Sequence, residues 1–164
     1  MRSKILAAAA AITCLGSAAH AQTAQTMQHF TRADLESALR EAGATITATD
    51  TVSQRIDFTF NGGVNADALL LACEDDKLKT KCIGSSLLAT FTPDDLQTPE
   101  QIGDAINTYN YKENFGRAYI DPDGTISVRM FIISDGGITR ANYSRQIGLW
   151  FASVTEFFSY LYGE

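Results

Sequence analysis

Large apolar side chains recur at helical spacing near the end of the chain: Tyr143, Ile147, Trp150, Phe151, Val154, Phe157, Phe158 and Leu161. On a helix from about Arg140 to Tyr162 they share one face roughly 120° wide. Burying all of them is worth about 12–24 kcal/mol gross, before ordering entropy. Such a stripe needs a second apolar layer, and the rest of the chain must supply it. Glu156 and the polar opposite face exclude a membrane span for this segment. Gly148 inside the helix costs about 1 kcal/mol against alanine, so a close approach is expected there.

The preceding stretch supplies strands. Ala44–Asp50 is rich in threonine and reads as an edge-like strand. Arg55–Phe60 alternates, with Ile56, Phe58 and Phe60 on one side. Asn61-Gly62-Gly63 is a turn. Ala68–Cys73 is a continuous apolar run, as in a strand covered on both faces, and Ile83–Phe91 follows as its antiparallel partner. Gly116–Ile120 and Thr125–Ser134 form a hairpin turning at Asp121-Pro122-Asp123-Gly124, where proline fixes φ and glycine permits a positive one. A calcium loop would need further ligands downstream.

Two more helices are signalled by their caps. Thr31 with Asp34 opens the first and Gly43 closes it. Thr98-Pro99-Glu100-Gln101 opens the second, placed at Pro99–Glu113, with Ile102, Ile106 and Tyr109 as its buried stripe. The order α-β(n)-α-β-β-α describes an α+β domain, an antiparallel sheet packed with helices.

The N-terminus reads as a leader. Arg2 and Lys4 precede an apolar run, Ile5–Leu15, and Ala19-His20-Ala21 is a small-x-small cleavage site. Residues 1–21 are expected to be cleaved, leaving a periplasmic or secreted chain that starts at Gln22. Residues 22–30 read as a flexible lead-in. Ala11-Ile12-Thr13 is a poor lipidation signal before Cys14. Cleavage removes 2 of the 13 basic residues and none of the 19 acidic ones, so the mature net charge is 11 − 19 = −8. That opposes nucleic acid and anionic lipid as partners. Lys77, Lys79 and Lys81 follow Glu74, Asp75 and Asp76 and read as a solvated hairpin tip. In an oxidising compartment, Cys73 and Cys82 are expected to pair across that hairpin. A redox-active pair would have two intervening residues and a helix N-terminus, and neither is present.

Three segments carry a family resemblance. They are Ile106-Asn107-x-x-Asn110, then Phe115-Gly116-Arg117-Ala118-Tyr119-Ile120-Asp121-x-Asp123-Gly124, then Gly136-Gly137-Ile138. Together they resemble the YbjN family, whose members are classed as candidate bacterial sensory transduction regulators. The Cys73–Cys82 segment also resembles that family's cysteine-containing hairpin, and Tyr109 departs from a common Trp. The resemblance covers roughly residues 30–162, and a YbjN-like domain is placed at 31–162. It implies a fold similar to type III secretion chaperones, with no enzymatic activity and no established ligand.

The residues themselves offer little catalysis. After cleavage His29 is the one histidine left, in the lead-in, which makes a Ser-His-Asp or Cys-His centre a poor fit. Zinc ligation lacks a ligand set, glycine-rich phosphate loops lack their lysine, and no cofactor is expected. A carboxylate pair acting as a small periplasmic hydrolase stays open, as does a purely structural envelope role. The leading expectation is a binding or regulatory domain that recognises a protein, a peptide or a second copy of itself. Asn107, Asn110 and Arg117 are candidate ligand contacts, although the asparagines would equally satisfy backbone groups where the helix enters the hairpin. Leu149 and Tyr160, off the main stripe, are candidate outer contacts.

Overall fold

A computed structural model describes residues 26–163; the expected leader lies outside the described residues. β1 (Thr26–Met27) precedes α1 (Arg32–Glu41). Four strands follow: β2 (Thr45–Thr49), β3 (Ile56–Phe60), β4 (Val64–Leu71) and β5 (Gly84–Phe91). Then come α2 (Pro99–Lys112), β6 (Arg117–Ile120), β7 (Ile126–Ile133), β8 (Ile138–Thr139) and α3 (Arg140–Tyr162). The fold is α+β in the expected order, with two short strands added ahead of α1 and α3.

Local chemistry sets the helix starts. Thr31 and Asp34 form a capping box on α1, and Thr98 and Gln101 form one on α2 with Pro99 just inside. Thr139 caps α3 by accepting from the Asn142 N–H. Gly43 has φ +103°, the left-handed residue that ends α1.

The main sheet has the order β2-β3-β4-β5-β7-β6, antiparallel throughout. Its core-facing rows join Ile56 to Ala68, Leu87 and Met130, and Phe58 to Ala66, Ala89 and Val128. The helices cover this face alone. The reading of β4 as buried on both faces is therefore corrected. Ala68 and Leu70 enter the core, while Leu69 and Leu71 lie on the opposite, helix-free face and are only half-buried. A one-sided strand with apolar residues on both faces is indistinguishable from a central one by composition.

The α3 stripe docks as expected. Tyr143, Ile147, Trp150, Phe151, Val154, Phe157 and Leu161 are buried, with Phe158 half-buried on the flank. Phe151 stacks on Phe60 with ring centroids 4.1 Å apart, and Phe157 meets Tyr109 edge-on at 5.3 Å.

The N-terminal segment is corrected as well. Residues 26–30, read as part of a loose lead-in, are tied to the fold. Thr26 and Met27 pair with Thr139 and Ile138, and the Phe30 N–H donates to the Cys82 carbonyl at 2.6 Å. Phe30 is fully buried and stacks on Tyr143 at 4.3 Å. One aromatic in a polar stretch has no period, so the sequence pattern passed over it.

Cys73 and Cys82 are bonded, with Cα atoms 3.8 Å apart. Lys79 pairs with Asp76 at 2.8 Å and Lys81 with Glu74 at 2.7 Å, so two of the three lysines at this tip are matched internally.

A tight node joins α2, β6 and α3. The Tyr109 O–H donates to the Phe115 carbonyl at 3.2 Å and bonds Ser153 Oγ at 2.8 Å. Gly116, at φ +126°, passes so close that an added Cβ would sit 2.6 Å from Tyr109 Oη and 3.2 Å from Trp150. Gly148, by contrast, has open space where a Cβ would go, so the expected close approach is absent there.

Two outcomes follow from this node and this helix. Gly116→Ala is expected to destabilise by about 2–4 kcal/mol, through overpacking and its positive φ. Gly148→Ala is expected to stabilise by about 0.5–1 kcal/mol through helix propensity. Urea midpoints measure both. Burial pushes the Tyr109 phenol up to about 12, against 10.0 for a free tyrosine. The folded state therefore keeps this proton where the unfolded chain loses it. That stability is whole below pH 10 and is lost as the pH rises towards 12. Tyr109→Phe should flatten the alkaline fall in stability, as read by denaturation at a series of pH values.

Candidate functional site

The asparagine helix presents its residues unequally. Asn110 reaches the outer edge of β6, where its Nδ2 donates to the Ala118 carbonyl at 3.0 Å and its Oδ1 accepts from the Ala118 N–H at 2.9 Å. The carboxamide thus takes the place of a neighbouring strand at that residue. Asn107, one turn earlier, is exposed and makes no side-chain hydrogen bond among the described residues. Arg117 is exposed at the start of β6, directly opposite Arg129 of β7 rather than an acid.

The two outer-contact candidates on α3 are set into the structure. Tyr160 is half-buried; its O–H donates to Glu113 at 3.1 Å, and the Lys112 ammonium lies 5.4 Å from its ring centre. It clamps α3 to α2. Leu149 is half-buried beside Gly148 in a shallow depression shared with Glu41 and Ser144 of the α1–α3 seam. Along the helix it stands about 16 Å from Tyr160, so the candidates do not converge on one site.

A different place has the shape of a binding site. The β3–β4 turn, the end of β5 and the last turns of α3 enclose a cleft of about 460 Å³. Phe91, Phe158 and Tyr162 give it aromatic walls; Asn61, Asn65 and Thr155 give it polar rims. No Asp, Glu, Lys or Arg lines it. Each wall is fixed. Asn61 Nδ2 donates to Thr155 Oγ1 at 2.9 Å, the Tyr162 O–H donates to the Thr92 carbonyl at 2.7 Å, and the Phe158 and Tyr162 rings are 4.6 Å apart. Asn61, at φ 43°, and the two glycines after it keep the turn narrow. From sequence, Asn61-Gly62-Gly63 is only a turn and Phe158 only part of the stripe. The usable signal is the i, i+4 spacing of Phe158 and Tyr162, which lines two aromatic rings along one flank of the stripe in the last two turns.

One pair of acids does converge. Asp57 and Asp67 are directly opposed across β3 and β4 on the helix-free face, beside a depression of about 310 Å³. Arg55 holds Asp57 at 2.8 Å, while burial pushes the Asp67 carboxyl above its ordinary range, partly offset by Arg55. No group of three or more His, Cys, Asp or Glu side chains suited to a metal occurs among the described residues. No helix there is long and apolar enough to cross a membrane.

An antiparallel sheet covered by helices on one side, with an uncharged aromatic cleft at one end, is the frame of a small α+β domain with a ligand-sized cleft. The chain belongs to the YbjN family, described as "Putative bacterial sensory transduction regulator", whose match spans residues 31–162. That description is of a regulator, not of an enzyme. Among solved structures, the crystal structure of E. coli YbjN, described as "a putative transcription regulator", is similar with a TM-score of 0.51 at 14% identity. The similarity covers 77% of this chain and 94% of that one, and it bears on the fold. No curated protein matches the sequence.

Replacing Asn110 by alanine removes two hydrogen bonds and bares the edge of β6. A loss of about 1–2 kcal/mol is expected, against less than about 0.5 kcal/mol for Asn107→Ala. Chemical denaturation of the two variants side by side checks the contrast.

Proposed function

We propose that this protein is a non-enzymatic regulatory domain of the cell envelope. It is exported to the periplasm, is oxidised there at Cys73 and Cys82, and binds an extended, uncharged segment of a partner protein. The reading is chaperone-like in the limited sense that the ligand is a stretch of peptide. The observation that carries it is the cleft between the Asn61-Gly62-Gly63 turn and the Phe158–Tyr162 pair. Its aromatic walls suit an apolar anchor, and its carboxamide and hydroxyl rim suits peptide N–H and C=O groups. The uncharged lining disfavours phosphate or carboxylate ligands. The mature charge of −8 disfavours nucleic acid, consistent with a protein partner.

The Asp57–Asp67 pair supports a second reading, a carboxylate hydrolase, because one acid is paired with Arg55 and burial pushes the other towards its neutral form. The first reading is preferred because the pair lies on a flat sheet face, not in a water-excluding cleft.

A photo-reactive phenylalanine analogue placed at Thr155, and for comparison at the 90% exposed Tyr111, tests the cleft in cells. The Thr155 position should yield a discrete adduct in the periplasmic fraction, on protein whose mature mass begins at Gln22. The adduct should map to an uncharged apolar stretch of the partner and vanish with Phe158→Asp. Identical labelling from both positions, or labelling untouched by Phe158→Asp, would defeat the reading.

A further inference from the structure

The helix-free face of the sheet is arranged in rows centred on β5. One row runs Asp57, Asp67, Leu88, Arg129, Arg117 across β3, β4, β5, β7 and β6. The next contains Leu69, Ser86 and Phe131, and the one beyond it Leu71, Gly84 and Ile133. With strands about 4.8 Å apart, each acid on one side of β5 has an arginine at the same distance on the other. Leu69 and Leu71 of β4 likewise have Phe131 and Ile133 of β7 as their counterparts.

Within one chain these groups are poorly matched, apart from Asp57, which Arg55 holds at 2.8 Å. Arg117 and Arg129 oppose each other directly, which is unfavourable for like charges. Neither makes a salt bridge among the described residues, and neither does Asp67. The Arg129 guanidinium lies between the rings of Tyr119 and Phe131, at 5.4 and 5.9 Å, with its Nε buried and lacking an acceptor. Phe131 and Ile133 are each 56% exposed, an unusual state for large apolar residues in a central strand.

We propose that a second copy of the chain covers this face, related by a two-fold axis that lies in the interface and runs along β5. Such an axis exchanges the two sides of β5 and preserves position along it. Asp67 then meets the partner subunit's Arg129, and Asp57 meets the partner subunit's Arg117. Leu69 and Leu71 meet the partner's Phe131 and the partner's Ile133. Gly84 and Ser86, on the axis, leave room for the larger side chains beside them. The result is an aligned pair of sheets about 10 Å apart, in a closed isologous contact. An in-plane axis perpendicular to β5 is rejected, because it sets acids over acids and the apolar end over the polar end. The proposal rests on this face alone and does not depend on the cleft.

The test uses mature full-length protein, native mass measurement and sedimentation. Wild type should be dimeric. Asp67→Arg and Arg129→Asp should each weaken self-association by about 100-fold, since symmetry repeats each contact twice. Mixing these two variants should restore a heterodimer, because one copy then presents two cations and the other two anions. The double reversal within one chain should restore the homodimer. Phe131→Glu, at a solvent-exposed position, should keep the native circular dichroism and be monomeric. A monomeric wild type, a mixture that forms no heterodimer, or a folded Phe131→Glu that remains dimeric would overturn the proposal.

Discussion

Everything in this fold depends on burial from one side. The aromatic stripe of α3 is placed against a single face of a six-stranded sheet, and α1 and α2 join it on that face. Phe58 and Phe60 from β3 meet Phe151, and Phe91 from β5 meets Phe157. These contacts tie strands distant in sequence to one helix. Because the stripe spans most of a 23-residue helix, it fixes the relative tilt of sheet and helix layer along their length. The cleft exists because the sheet ends before the helix does: Phe157 and Leu161 stay buried, while Phe158 and Tyr162 on the flank of the stripe stand beside the β3–β4 turn and the end of β5.

A second constraint acts where α2 turns into β6. Tyr109, Ser153, the Phe115 carbonyl and Gly116 occupy a space with no slack. Asn110 sits one residue on, bonded to both backbone groups of Ala118. The short loop is thereby held at its start by a phenol and at its end by a carboxamide. Arg117 and Tyr119 are consequently presented on the helix-free face, while Ala118 enters the core. Tyr160, bonded to Glu113, completes the clamp from α3.

The helices and most strands were legible because their signals are local and repeated. Thr31, Thr98 and Pro99 mark starts by their own chemistry, and the α3 stripe is long enough for its period to be plain. What escaped was non-local or single. Phe30 and Met27 are lone apolar residues whose partners, Tyr143 and Ile138, lie more than a hundred positions away. Leu69 and Leu71 belong to an apolar run that reads as doubly buried, because a sequence cannot state on which side of a sheet the helices lie. Gly148 and Gly116 look alike as letters, yet only Gly116 faces a crowded neighbour. The cleft joins a turn at residue 61 to a helix end at residue 162, a proximity only the packing creates. Of the expected contact residues, Asn110 and Tyr160 are engaged within the chain, and Arg117 faces another arginine instead of an acid.

The carboxamide of Asn110 also has a consequence for how large an assembly can become. An uncapped outer strand invites a neighbour to add to it, and then another, giving ribbons without end. Here one rim of the sheet is short and its second residue, Ala118, is already occupied, and the other rim, β2, is broken by a register shift between Ile46 and Ala48. Both rims are thereby poor templates for lateral growth. With the rims blocked in this way, association through the flat face, as proposed above, would end at one closed pair instead of running on into fibres.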